Sequence, residues 1–338
     1  MRDDFSEAIP AQHRMAVREA LRQVLGPTPV DGIVPLSGGS TGACLCRVDA
    51  GDARLLLRIE GPETAMLKRN PHRFAAMQLA AQAGLAPSVH YVDETNGITV
   101  TDFIEHKPFE SFPGGEAGLA QALGDLFRSL QDGPAFPPLV DYRELLANML
   151  RHLADSGLFT PGLLDPHLAE LARICTALDW NPDALVASHN DPNPNNILFD
   201  GVRLWLIDWE TAYRNHPFVD LAIVSETFAP SPELADGLLR AWSGKEPDAA
   251  KRAKLQAVGR LTRLYYACFL LQAGAAAQQA PVADISAPSP AAILLRLNQG
   301  DLTRGGAGTL FEFGKVYLHG FLTGTMPPGL REAGAAAF

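Results

Sequence analysis

Two short apolar runs, Ile197 to Phe199 and Leu204 to Asp208, stand on either side of Asp200-Gly201. An Asp-Gly pair between apolar runs is a tight hairpin signal, so this stretch predicts an antiparallel ribbon. The ribbon constrains the fold more than any other feature, because its two free ends carry the polar residues of the region. Ser188-His189-Asn190-Asp191-Pro192-Asn193-Pro194-Asn195-Asn196 leads in, and Asp208-Trp209-Glu210 leads out. Asn196 enters one strand as Asp208 leaves the other, which brings both side chains to the same open end.

The 338 residues are 47% apolar, enough to bury a core larger than one compact domain needs, and two lobes around a cleft are expected. Lys and Arg total 28 against 38 Asp and Glu, a formal charge of -10, which leaves no broad basic surface for nucleic acid. Acidity suits a cationic small substrate, and equally suits plain solubility. Met1 to Glu7 holds acids where an export signal would hold basic and then apolar residues, so a cytoplasmic location is expected. The most apolar stretch, Leu264 to Ala277, contains Gln272 and falls short of the roughly 18 residues of a spanning helix, so it reads as a core helix with no membrane insertion. Cys44, Cys46, Cys175 and Cys268 lack metal-ligand or disulfide spacing; Cys44 and Cys46 alternate along a strand and read as small core residues.

Before residue 104 the pattern is a helix at about Ala11 to Leu25 and then five strands. These are Ile33 to Leu36, Ala43 to Val48, Ala53 to Ile59, Ser88 to Val92 and Ile98 to Phe103. A second helix, from Pro71 to the stop at Gly84, is inserted after the third strand. After Pro113-Gly114-Gly115 the periodicity turns helical, as in Ala117 to Leu130, Tyr142 to Leu153 and Ala249 to Gln272, and Gly274 to Pro290 reads as an exposed loop. The expected organisation is a nucleotide-binding lobe over 1–103, a hinge over 104–115 and a catalytic and substrate-binding lobe over 116–338. The fold class is α+β, a protein-kinase-like two-lobed fold. It has an N-terminal five-stranded antiparallel sheet with one helix and a mostly helical C-terminal lobe that carries the catalytic hairpin.

Asp191 and Asn196 stand as D-x-x-x-x-N, the spacing of a kinase catalytic loop, and Asp208 opens a metal-binding turn. Mg²⁺ takes hard oxygen ligands, usually one carboxylate, a few other oxygens and nucleotide phosphates, a chemistry that Asn196 and Asp208 suit. Asp191, without a metal to hold, is free to accept a hydroxyl proton. His189 is the other catalytic-loop candidate, as a brace that hydrogen-bonds the loop. Gly38 and Gly39 let a backbone approach a triphosphate. Asp220, before Leu221-Ala222, is read as a buried carboxylate that supports the loop.

The ordered set Ser37-Gly38-Gly39-Ser40, Leu56-Leu57-Arg58-Ile59, Thr101-Asp102-Phe103-Ile104, His189-Asn190-Asp191 to Asn196, Ile207-Asp208-Trp209-Glu210 and Asp220-Leu221-Ala222 resembles the aminoglycoside phosphotransferase and choline/ethanolamine kinase superfamily. The resemblance covers about residues 30 to 270. It implies ATP and Mg²⁺ as cofactors, Ser37 to Thr41 over the phosphates, and Thr101, Asp102 and Phe103 at a hinge that binds adenine through its backbone. It also implies Asp191 as base, and Asn196 and Asp208 on the metal.

The sequence departs from that pattern at two positions. Arg58 stands where most kinases carry Lys, and the helix after it, from Pro71 to Gly84, has no Asp or Glu to pair with. Glu60 or Glu63 is the substitute offered by the preceding loop, and a catalytically silent nucleotide-binding pseudokinase is the rival that follows from the gap. Glu210 in Asp208-Trp209-Glu210 resembles choline and ethanolamine kinases, so the expected acceptor is a hydroxyl of a small, amine-bearing metabolite; an aminoglycoside is the alternative. Tyr265 and Tyr266, with Phe269, are candidates for an ammonium cage, or for plain helix core. Glu210 is a further substrate candidate. Only twelve positions separate Asp208 from Asp220, too few for a segment that binds a protein substrate.

Overall fold

The computed structural model describes residues 8–36, 42–61 and 70–337. Chain contacts divide it into two compact units, residues 1–137 with 187–214 and residues 138–186 with 215–338.

The first unit is built on five antiparallel strands: β1 (Gly32–Pro35), β2 (Cys44–Ala50), β3 (Ala53–Ile59), β4 (Val89–Asp93) and β5 (Ile98–Asp102), in the order β1-β2-β3-β5-β4. Their period of two sorts the sheet into faces. Cys46, Val48, Leu55, Leu57, Ile59, Ile98 and Val100 pack against Val17, Ala20 and Leu21 of helix α1 (Arg14–Leu25). Burying such residues contributes about 1.5–3 kcal/mol each, which anchors the amphipathic α1 to that face. Arg58, between Leu57 and Ile59, therefore projects from the opposite face. Cys46 is buried and Cys44 half-buried, and all four cysteines are free thiols.

Helix α2 (Arg73–Gln82) starts two residues after Pro71, and α3 (Gly115–Gln131) follows the Pro113-Gly114 break. The hairpin is β7 (Ile197–Phe199) and β8 (Leu204–Leu206), in the register Ile197 to Leu206 and Phe199 to Leu204. Asp200 stabilises its turn: Oδ1 accepts the Val202 and Arg203 N–H groups at 2.7 and 2.8 Å, and Oδ2 accepts Trp205 Nε1 at 2.8 Å. Both ribbon edges are tied down, since Leu206 N–H donates to Leu85 O at 2.8 Å and Lys107 N–H donates to Phe199 O at 2.6 Å. The second strand stops at Leu206, short of the expected Asp208, because Asp208 has φ 63°, a left-handed backbone that no strand accommodates. Two further three-residue strands, β6 (Val186–Ser188) and β9 (Tyr213–Asn215), pair beside the catalytic-loop sequence.

The second unit is helical: α4 (Tyr142–Asp155), α5 (Asp165–Ala177), α6 (Val219–Phe228), α7 (Pro232–Ser243), α8 (Ala249–Ala273), α9 (Pro290–Gln299), α10 (Ala307–Thr323) and α11 (Leu330–Ala337). The long α8 is its spine, burying Leu255, Val258, Leu261, Leu264, Cys268 and Leu271. Helix α10 approaches it closely enough that a Cβ at Gly314 would lie 2.6 Å from Leu271 Cγ. Arg260 of α8 donates to the carbonyls of Phe321 and Leu322, each at 2.7 Å, and so completes the last turn of α10. The segment from Gly274 to Pro290 is pinned at Val282, which exchanges backbone bonds with Leu158 and Thr160 at 2.8 and 3.0 Å. Among the described residues no helix is long and apolar enough to cross a membrane.

Candidate active site

The hairpin sets out the site. Ile207 N–H donates to Asn196 O at 3.0 Å, so the open end of the ribbon holds the residues that flank both strands. Asn196, buried, donates through Nδ2 to Asp191 O at 2.9 Å and to Asp191 Oδ2 at 3.3 Å. Asn193 Nδ2 donates to Asp191 Oδ1 at 3.1 Å, while its own Oδ1 accepts Asn195 N–H at 2.9 Å. Each oxygen of the Asp191 carboxylate thus accepts from an asparagine amide, which fixes its plane.

His189 is fully buried and donates through Nε2 to Ile207 O at 2.8 Å, which makes it a brace between the loop and the end of the hairpin. Burial pushes its imidazole down to about 4, and its ring lies 4.7 Å from Trp209. A neutral imidazole that donates from Nε2 holds the loop without carrying charge. Thr211 Oγ1 donates to His189 O at 3.0 Å from the other side.

Asn190, between His189 and Asp191, has φ 66°, a backbone that Asn tolerates better than most residues. Its buried Nδ2 faces three carbonyls, Ser188 at 3.3 Å, Thr211 at 2.9 Å and Tyr213 at 3.2 Å. Asn70, also buried, donates to Ala212 O at 2.6 Å. Sequence reasoning missed the parts played by Asn190, Asn193, Thr211 and Asn70. An Asn inside His-x-Asp is a residue type suited to left-handed backbone, which is a signal for Asn190; Asn70 has none.

Arg58 projects toward the outgoing end of the ribbon. Its Nη2 lies 3.4 Å from Asp208 Oδ1 and is hydrogen-bonded to Glu210 Oε1. Burial works against the guanidinium charge, but the attraction of Asp208 and Glu210 outweighs it and the pKa is raised. Glu60, offered by the sequence as the partner of Arg58, is instead bonded to Arg73, with Nε to Oε1 at 2.5 Å and Nη2 to Oε2 at 2.8 Å. The α2 position expected to hold an acid holds the base Arg73, and that base captures the nearest acid. Glu63 lies outside the described residues.

The other candidates fall as follows. Thr101 is buried on β5 and Asp102 ends that strand. The N–H groups of Asp102 and Phe103 are donated to Ser88 O and Arg54 O, both at 3.0 Å. Burial opposes ionisation of the Asp102 carboxyl, yet bonds from Ser88 and His90 outweigh it and its pKa is lowered. Ser37, Gly38, Gly39, Ser40 and Thr41 lie outside the described residues. Asp220, Tyr265 and Tyr266 belong to the second unit. There Asp220 is buried in the first turn of α6. Tyr265 and Tyr266 are half-buried, 5.6 Å apart edge-on, and continue to Tyr142 at 6.5 Å and Tyr317 at 5.8 Å, while Phe269 turns outward to solvent.

Among the described residues no three His, Cys, Asp or Glu side chains form a metal cluster. The donors at the hairpin end, a carboxylate and an amide, fit a hard cation whose remaining ligands come from phosphate and water. A five-stranded antiparallel sheet, a helix after β3 and a catalytic-loop hairpin define a protein-kinase-like phosphotransferase. Residues 32–255 match the phosphotransferase enzyme family (APH), and the chain belongs to that family. Protein LicA of Haemophilus influenzae is 25% identical over 194 residues, covering 56% of this chain and 56% of that protein. The crystal structure of a choline/ethanolamine kinase family protein from Mesorhizobium loti matches with TM-score 0.65 at 23% identity, over 96% of this chain and 99% of that one. A spectinomycin phosphotransferase in complex with ADP and spectinomycin matches with TM-score 0.60 at 13% identity, over 94% and 99%.

Proposed function

We propose that this kinase transfers the γ-phosphoryl group of ATP to a hydroxyl of a small, amine-bearing metabolite of the choline or ethanolamine kind, in the cytoplasm where ATP is supplied. The observation that carries the reading is the joint arrangement of Asp191, Asn196, Asp208 and Arg58 around the end of one hairpin.

In this reading Asp191, held by Asn193 and Asn196, accepts the proton of the acceptor hydroxyl. The oxygens of Asn196 and Asp208 hold Mg²⁺, which when bound neutralises charge on the phosphate oxygens. Arg58 reaches the phosphates in place of the usual Lys. Ser37 to Thr41 cover the triphosphate. Adenine meets the backbone that follows β5; the N–H groups of Asp102 and Phe103 are already used, so the donor shifts to Ile104 or Glu105. Asp220 supports the loop. Tyr265 and Tyr266, edge-on within a run of four tyrosines, supply a π surface for an ammonium group.

The choice of an amino alcohol is supported by Glu210 in the Asp208-Trp209-Glu210 motif and by the choline/ethanolamine kinase likeness. The spectinomycin phosphotransferase likeness keeps an aminoglycoside as the second reading. Mg²⁺-dependent ADP release across choline, ethanolamine, amino alcohols, aminoglycosides and sugars separates the two, with Asp191→Asn run alongside. Release stimulated by an amino alcohol and abolished by Asp191→Asn supports the proposal. Stimulation by aminoglycosides alone selects the second reading, and ATP binding with no stimulated release by any acceptor favours a silent module.

A further inference from the structure

The β3 arginine lacks a carboxylate on the helix that follows it, since α2 from Arg73 to Gln82 contains no Asp or Glu. Among the described residues the preceding loop offers Glu60, whose charge favours the Arg58 cation but whose oxygens are bonded elsewhere. Both Glu60 oxygens bind the Arg73 fork, and the two side chains are only 4% and 11% exposed. Glu60 is also hemmed in by the turn beside it, where a Cβ at Gly97 would lie 2.8 Å from Oε2. An acid so confined does not swing across to a second cation.

Arg58 meets instead the two acids that leave the hairpin. It uses Nη2 alone for both, leaving its Nε and Nη1 donors without an acceptor among the described residues. A half-buried guanidinium anchored through Nη2 keeps Nη1 and Nε as charged donors for an anion. One cation shared by two carboxylates also leaves net negative charge, which suits a metal arriving with that anion.

We infer that Glu210 is the positioning residue for Arg58, standing in for the missing helix carboxylate and aiming the remaining guanidinium donors at the nucleotide's phosphates. The inference rests on the reading of Asp208 as the metal side of a nucleotide site. Glu210 acts through Arg58, a role in nucleotide binding distinct from the substrate contact offered by the sequence. Asp208 would be among the residues that hold Mg²⁺, and Glu210, bonded to the same Nη2, would then keep the guanidinium in place.

Titration calorimetry with MgADP across a double-mutant cycle tests this without turnover. Arg58→Met is expected to weaken binding about 10- to 100-fold, the size of a lost charge-assisted contact. Glu210→Gln is expected to weaken it about 10-fold, and the double variant to bind no worse than Arg58→Met alone. In turnover Glu210→Gln raises the KM for ATP and leaves the KM for the acceptor alcohol unchanged. Glu210→Asp, which keeps the charge with a shorter reach, recovers part of the affinity and serves should Glu210→Gln fail to fold. Additive losses in the cycle, or a rise in acceptor KM in place of ATP KM, overturn the inference and assign Glu210 to the metal or the acceptor. Asp208→Asn separates the two levels: if it binds MgADP as the native protein does, the nucleotide-site reading falls. If it binds weakly while the cycle is additive, only the role of Glu210 falls.

Discussion

Asn190 carries two separable duties, and replacing it by Gly and by Ala measures each. Its amide has two N–H donors for three facing carbonyls, of which Thr211 at 2.9 Å and Tyr213 at 3.2 Å are the better placed. Loss of the amide leaves those buried oxygens short of a donor, at a cost of about 1–3 kcal/mol, and either substitution incurs it. The second duty is the backbone at φ 66°. Alanine there costs about 1–2 kcal/mol in left-handed strain, which glycine avoids. Glycine in turn loses about 0.4–1 kcal/mol to the greater freedom of its unfolded chain. The difference favours glycine by about 0.5–1 kcal/mol. Asn190→Gly should therefore sit about 2–3 kcal/mol below the native protein and Asn190→Ala about 3 kcal/mol or more below it. Urea unfolding followed by tryptophan fluorescence gives both values, with turnover recorded on the same samples. Because Asn190 immediately precedes Asp191, kcat should fall at least about 10-fold in both variants while the KM for ATP holds. Equal stability of the two variants would refute the backbone argument. Stability within about 0.5 kcal/mol of native in both would refute the bracing argument as well, since that is the range of an ordinary surface change.

Asp191→Asn should lower kcat by about 10²–10⁴ and leave MgADP affinity at the native value, measured by coupled ADP release and calorimetry; a comparable loss in binding would place Asp191 on the metal instead. Glu60→Gln strands the buried Arg73 and should destabilise by about 3 kcal/mol in the same urea assay, whereas a loss below about 1 kcal/mol would mean that the pair is effectively solvated. His189 gains its proton near pH 6.5 when unfolded but only near 4 when folded, so stability that is intact above pH 6.5 is lost as pH falls toward 4. His189 alone accounts for about 3 kcal/mol of that loss at the acid end. His167 and His216, also held near 4 by burial, steepen the same window; a stability profile flat between pH 6.5 and 4.5 would contradict the assignment.

What the sequence disclosed follows the range of the forces involved. The hairpin was legible because Asp200-Gly201 supplies its own turn chemistry, and the sheet because alternation in β2 and β3 is written in neighbouring residues. Three-residue strands such as β6 and β9 complete barely one period, so no pattern distinguishes them from loop. The end of β8 was misjudged because apolar periodicity runs on through Ile207, while the left-handed turn at Asp208 is fixed by the groups around it. The charge network was least legible. Arg58 and Glu210 are separated by 152 positions, and nothing local to either names the other. Arg73 binds both Glu60 oxygens, so Glu60 reaches Arg58 by charge alone and the hydrogen bonds of Arg58 go to Asp208 and Glu210. An acid two residues beyond Asp208 is delivered to it by the same hairpin that delivers Asn196.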